Sequence, residues 1–358
     1  MMVMLTRASL SVGISAVLIL STPAIAKWEN HADRYQDEYK NHLSATCPLA
    51  KDDMKHFVYF AGNRASLKDH PLLTSERFTG AQIMYPWALL EPEKGQYDFS
   101  AIEEDYQYLK AHGKKLFIQL QDATFSVEFR GIPAYLNSDE FDGGSVPRFY
   151  DNGKQDGWSA KRWNTKVQHR FALLIAELGK SYDGKIEGIN LQETAAAADS
   201  ETDPTFSESG YVAGIKANMR ALSKSFTISS TMQYANFMPG EWLPWEDKGY
   251  LREVYAYGEQ IGVGLGGPDL MMRRRGQLNH ALAMMHENEY SVPLGIAIQD
   301  GNYIGETDNT TVVNERKNIV PALHSFAQNF LNVDYMFWVN QEPYFEQDVL
   351  PCFENQNR

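Results

Sequence analysis

Cysteine is nearly absent: Cys47 and Cys352 are the two in 358 residues, which excludes a cysteine-rich scaffold and leaves either one bridge or two buried thiols. In an oxidising compartment, and in a fold whose ends meet, a disulfide joining them is physically reasonable. Basic residues are also in short supply. Against 46 Asp and Glu stand 33 Lys and Arg, for a formal net charge of -13; this disfavours nucleic acid and anionic membrane surfaces as partners and suits a neutral or cationic ligand. The nine histidines are scattered through helices and loops, so the clustered ligands of a catalytic transition metal are missing. There is no internal repeat and no low-complexity linker, and beyond the N-terminal segment no apolar run is long enough to cross a bilayer.

That segment has a recognisable pattern. Residues 1–26 carry one basic residue, Arg7, an apolar run from about Leu10 to Leu20, and then Thr22-Pro23-Ala24-Ile25-Ala26. This is the form of a secretory signal peptide with a small-x-small cleavage site, the alternative being an uncleaved anchor. The expectation is cleavage near Ala26 and a secreted or periplasmic protein with no stable membrane insertion. Residues 27–358 then form a single domain, since α/β barrels reach this length as one unit.

Short apolar runs of strand character alternate with helical patterns about eight times, the signature of a parallel sheet with crossover helices. The strands are expected at Phe57–Ala61, Gly80–Tyr85, Lys115–Leu120, Ile186–Leu191, Thr227–Tyr234, Gly262–Leu265, Leu294–Ile298 and Tyr335–Val339. Runs such as Tyr335-Met336-Phe337-Trp338-Val339 are apolar throughout, as where both faces are buried. Between strands, Val167, Phe171, Leu174 and Leu178 recur at helical spacing, with Gly179 read as the stop. The fold class is therefore an α/β (β/α)8 barrel with a long loop, about Asp122 to Arg162, after the third strand; a long loop on that face usually belongs to a binding site.

In such barrels chemistry sits where strands end. The third strand ends in Gln121-Asp122, the fourth in Asn190-Leu191-Gln192-Glu193, the seventh in Gln299-Asp300 and the eighth in Asn340-Gln341-Glu342. Amides and carboxylates converging with aromatics suit sugar chemistry, because glycoside cleavage needs two carboxyl groups across the scissile bond. For Asp122 and Asp300 a helix-cap or turn role weighs equally. Lys114, Lys115 and Lys185 precede their strands, so they stand at the far end and supply no Schiff-base amine. The Gly264–Asp269 run is a tight backbone passage rather than a phosphate cradle, and Asp300-Gly301-Asn302 lacks the further ligand of a calcium loop. No cofactor and no metal are expected.

Two stretches resemble the glycoside hydrolases of clan GH-A, including bacterial beta-galactosidase and xylanase families. Tyr85-Pro86-Trp87-Ala88-Leu89-Leu90-Glu91-Pro92 with Gly95 and Tyr97-Asp98-Phe99 is similar to the segment after the clan's second strand. The resemblance implies an acid/base glutamate at the end of the fourth strand, here Glu193, preceded by Gln192 where the clan has Asn. It also implies a tryptophan flooring the sugar site, here Trp338. The clan's seventh-strand nucleophile is matched by Gln299, which cannot attack carbon. The second carboxylate is then Asp300 or Glu342, or the site binds sugar without cleaving it. The expected function is hydrolysis of a poly- or oligosaccharide, with Asn190, Gln192, Gln299 and Asp122 orienting hydroxyls and with Trp87, Trp158 and Tyr303 as stacking surfaces.

Overall fold

The computed structural model describes residues 33–149, 153–195 and 198–354; the expected signal peptide lies outside them. In chain order the strands are β1 (Lys55–Tyr59), β2 (Gly80–Pro86), β3 (Lys115–Gln121), β4 (Ala123–Thr124), β5 (Ser145–Phe149), β6 (Gln155–Ala160), β7 (Gly188–Leu191), β8 (Ser230–Tyr234), β9 (Gly264–Gly267), β10 (Leu294–Ile298) and β11 (Tyr335–Val339). Eight of them close a parallel barrel in the order β1-β11-β10-β9-β8-β7-β3-β2, while β4, β6 and β5 form a separate sheet. The chain is thus a (β/α)8 barrel, and the segment read as a long loop after β3 folds into that antiparallel three-stranded insertion.

Alternation along the strands sorts the interior into layers. Phe57, Phe117 and Phe337 meet inside the barrel with ring centroids 5.0–5.7 Å apart. Gly188 faces this cluster, and a Cβ there would stand 2.7 Å from the Phe117 ring. Two residues further along, the same strand faces carry polar groups. Tyr59 donates to Gln119 Oε1 at 3.0 Å, and Gln82 Nε2 reaches Asn190 Oδ1 at 3.0 Å and the Tyr234 hydroxyl at 2.9 Å. Above that plane lies the mouth.

Helices cover the barrel from outside. Helix Thr165–Tyr182 begins at Asn164, whose side chain caps the amides of Lys166 and Val167; its apolar face is the one expected, but it runs past Gly179. Glycine is there for proximity: a Cβ would stand 2.2 Å from the Ser225 carbonyl oxygen at the end of helix Glu208–Ser225. Between β1 and β2 the crossover is made by two short 3-10 turns, Arg64–Leu67 and Pro71–Leu73, the second entered at a proline that has no N–H to extend a helix backwards.

Cys47 and Cys352 form a disulfide across 305 residues of chain. Beside it the Leu49 amide donates to the Cys352 carbonyl at 2.9 Å. No helix of the described residues is long and apolar enough to cross a membrane.

Candidate active site

Glu193 stands two residues beyond β7 at the mouth, half-buried. Asn236, just past β8, donates its amide to Glu193 Oε2 at 2.6 Å, and Arg162 holds the Glu193 carbonyl oxygen at 2.7 Å. Lost hydration raises the Glu193 pKa, against the pull of Arg148, the Asn236 amide and Arg162, with Asp308 adding to the rise. Two strands round the barrel from β7, Asp269 lies two residues past β9, 7% exposed, and accepts from Asn302 Nδ2 at 3.1 Å. Its carboxyl is pushed up to about 7, first by burial and then by the charge on Glu193.

Two further acids ring this pair. Asp300 and Asp308 are exposed, joined by the Asp308 amide on the Asp300 carbonyl at 2.9 Å, and both are raised by lost hydration, Asp300 also by Asp308. Tyr59, at the end of β1, sits among them: burial and the charges of Asp300, Glu193 and Asp269 keep its hydroxyl protonated. The turn that carries Asp300 requires glycine at the next position. Gly301 has φ +81°, and a Cβ would meet the Glu306 carbonyl at 1.6 Å.

The other expected site residues are placed as follows. Asn190 is buried in the polar layer beneath the mouth. Gln192 spends its side chain on the backbone, its Oε1 accepting from the amides of Asp122 and Ala123 at 3.2 and 2.9 Å, so its longer reach ties β7 to β3. Gln299 is half-buried and Glu342 exposed. Trp158 is half-buried on the insertion sheet, under the guanidinium of Arg130 at 4.2 Å.

Four residues stand elsewhere than their expected roles require. Asp122 is gripped at both oxygens by Arg162, 2.6 and 2.8 Å away, which leaves no free carboxylate to orient a hydroxyl. Trp87 is fully buried against Phe171 and donates to Glu91. Glu91 in turn accepts from the Gly95 amide and pairs with Arg170, so the motif resembling the clan's is a turn module. Trp338 is fully buried and faces out of the barrel, donating to His56 and packing edge-on to Phe353; in an apolar strand its side chain alternates away from the interior that Phe337 and Val339 line. Tyr303 is buried, stacked on Tyr344 and bonded to the Val339 carbonyl. None of these three rings is open for sugar stacking.

Sequence reasoning passed over Asp269, Asn236, Tyr59, Asp308 and Arg148. A signal existed for Asp269: it follows β9 as Glu193 follows β7, but placing the sixth strand at Gly262–Leu265 instead of Gly264–Gly267 hid it beyond the strand end. Asp308 lies ten residues past the end of β10, where spacing says nothing.

Asp52, His56 and His324, at the opposite end of the barrel where β1 begins, bring one ligand atom each within 4.8 Å of one another. Their hydrogen bonds join them to one another and to Trp338, which leaves a cation poorly served. Trp338 donates to His56 Nδ1 at 3.2 Å, so the ring's proton belongs on Nε2, which faces Asp52 at 3.2 Å, and the nitrogen a metal needs is occupied. His324 reaches the other Asp52 oxygen at 2.9 Å.

No protein-family model and no curated protein matches the chain. Among solved structures, it is similar to a GH10 protein from Paenibacillus barcinonensis, with 12% identity, 84% of this chain and 85% of that one covered, and a TM-score of 0.47. It is similar to the catalytic domain of beta-amylase from Paenibacillus polymyxa, with 11% identity, 82% and 93% covered, and a TM-score of 0.47. Endo-glycoceramidase II from Rhodococcus sp. gives 12% identity, 82% and 75% covered, and a TM-score of 0.48. Likeness at this level extends no further than the barrel.

Proposed function

We propose that the chain is a glycoside hydrolase acting on a poly- or oligosaccharide, with Glu193 and Asp269 as its two working carboxyl groups. The observation that carries this reading is their placement: each stands two residues beyond a strand of the same barrel, β7 and β9, and burial together with the charge on Glu193 pushes the Asp269 carboxyl up to about 7, so that it keeps a proton near neutral pH. That is the resting state which bond cleavage between sugars needs, an acid to protonate the leaving oxygen and an anion to attack or to activate water.

The surroundings favour the anion at Glu193. Arg148, Arg162 and the Asn236 amide all stabilise its charge, whereas Asp269 has the Asn302 amide and Arg274 against deep burial. Glu193 is then the base or nucleophile and Asp269 the donor, the reverse of the role that resemblance to clan GH-A gives the fourth-strand glutamate. Asp300, coupled to Asp308 and open to solvent, belongs to the outer rim, and Glu342 stands exposed beyond β11. Gln121, at the mouth end of β3 and 4% exposed, keeps an unpartnered Oε1 among the described residues and is suited to accept from a sugar hydroxyl.

Export fits the same reading. The Cys47–Cys352 bridge persists in an oxidising compartment, and residues 27–358 act as one catalytic barrel after removal of the leader. The test is release of reducing ends from a panel of glycans. Wild type is expected to cleave at least one of them, and Glu193→Gln to reduce that rate at least ~1,000-fold; binding with no release would leave a glycan-binding barrel instead.

A further inference from the structure

The insertion sheet carries a charged pair whose hydrogen-bonding groups the cleavage chemistry leaves unused. Arg148 on β5 and Asp156 on β6 are 7% and 8% exposed. Their closest charged atoms, Arg148 Nη2 and Asp156 Oδ2, are 3.8 Å apart, beyond hydrogen-bond length. Arg148 Nε and Nη1 and Asp156 Oδ1 have no hydrogen-bond partner among the described residues. Ionised groups buried in that condition are strongly unfavourable unless something arrives to satisfy them.

Their arrangement is specific. The register of β5 with β6 slips between Arg148 and Phe149, so that Phe149 pairs with Gln155, Arg148 with Gly157, and Asp156 is the extra residue of a bulge. Bulges beside functional sites re-aim a side chain, and this one sets Asp156 next to Arg148. The pair is within electrostatic reach of the mouth: both residues act on Asp308, and Arg148 has the largest influence among the cations on Glu193. Phe125, 46% exposed, lies under the guanidinium at 4.2 Å. Its ring occupies one face of the guanidinium and does not satisfy the in-plane N–H groups at Nε and Nη1.

The chemistry of the two orphaned groups selects among ligands. A guanidinium edge only donates and an ionised carboxylate only accepts. A uronate or sulfate would satisfy Arg148 but meet repulsion from Asp156, and an amino sugar would do the reverse. Two adjacent hydroxyls satisfy both, one accepting from Arg148 and one donating to Asp156. We propose that Arg148 and Asp156 form a subsite that reads a vicinal diol of an uncharged pyranose, with Phe125 as its apolar edge, so that the substrate is a neutral glycan. This rests on the hydrolase reading for the identity of the ligand class.

Calorimetric titration of the full protein tests it, with Glu193→Gln as background so that the ligand survives. The probes are neutral gluco-, xylo- and manno-oligosaccharides, an oligogalacturonate and an oligoglucosamine. The expected result is that a neutral oligosaccharide binds best and that Arg148→Ala and Asp156→Ala each weaken it about tenfold or more. The near-isosteric Arg148→Lys and Asp156→Asn, which keep the sheet packed, are expected to weaken it in the same direction. Preference for a charged oligomer, absence of binding to any neutral one, or an unchanged Kd in the variants, as for a pair satisfied by water alone, overturns the proposal. Neutral binding without release of reducing ends by wild type would sink the hydrolase reading and leave this subsite standing.

Discussion

Arg162 joins the segments that follow the neighbouring strands β3 and β7 by gripping both oxygens of Asp122 at 2.6 and 2.8 Å while donating to the Glu193 carbonyl at 2.7 Å. The pair is buried, with side chains 3% and 5% exposed, and a fourth contact ties Arg162 to the Tyr211 hydroxyl. Its value lies in fixing the backbone that carries Glu193. Arg162→Met leaves a buried, unpaired carboxylate and is expected to cost about 3–5 kcal/mol in urea unfolding. Removing both charges with Asp122→Leu added is expected to recover much of that loss, though not the placement of Glu193.

Asp269 stores stability for activity. Its carboxyl is raised from 3.8 to about 7, so the unfolded chain gives up this proton at lower pH than the folded one. Folding is penalised increasingly from about pH 4 to about pH 7 and constantly above that. Asp269→Asn keeps the bond from Asn302 and removes the penalty. Its Tm is expected to exceed that of wild type at pH 8 and to match it at pH 3.5; equal Tm values at both would contradict the burial argument.

The opposite sign holds at the base of the barrel. His324 and His56 hold Asp52 well below the usual carboxylate range despite its burial. This contribution to stability is complete above the unfolded pKa of about 4 and is lost as pH falls toward the folded value. Asp52→Asn is therefore expected to flatten the acid side of a stability-against-pH curve, read by urea midpoints from about pH 6 to pH 3.

The bridge between Cys47 and Cys352 closes a loop of 305 residues. By chain entropy, losing this constraint on the unfolded state is expected to cost about 5–6 kcal/mol. The double variant Cys47→Ser with Cys352→Ser, and reduced wild type, should show the same lowered urea midpoint. A difference between the two would mean that the serines disturb packing near Phe353.

Roles within the carboxyl pair separate by leaving group. Protonation matters most when the departing group is a poor one. Asp269→Asn is expected to keep most activity on activated aryl glycosides of a cleaved sugar and to lose it on the natural linkage, while Glu193→Gln loses both. The reverse pattern would restore the donor role to Glu193.

Architecture was legible because it rests on repetition. Eight apolar runs alternating with amphipathic helices specify a barrel, and Leu294–Ile298 and Tyr335–Val339 were located to the residue. Glu193 was legible because strand ends face the mouth. What a single sequence does not carry is direction and company. Trp338 and Phe337 are equally apolar neighbours, and which one faces inward depends on strand register. Asp122 reads as a rim carboxylate until Arg162, forty residues later, is folded against it. Gly179 reads as a helix stop, but its smallness serves a neighbouring helix. Asp156 and Arg148 are an ordinary loop pair in sequence, and only the bulge sets them side by side.

The account depends on Asp269 keeping its proton near neutral pH under the charge of Glu193. Carbon-13 NMR titration of the carboxyl groups measures this without a substrate. Asp269 is expected to titrate near 7 in the wild type and at clearly lower pH in Glu193→Gln, where the opposing charge is gone. An Asp269 midpoint near the ordinary 3.8 in both proteins would contradict it.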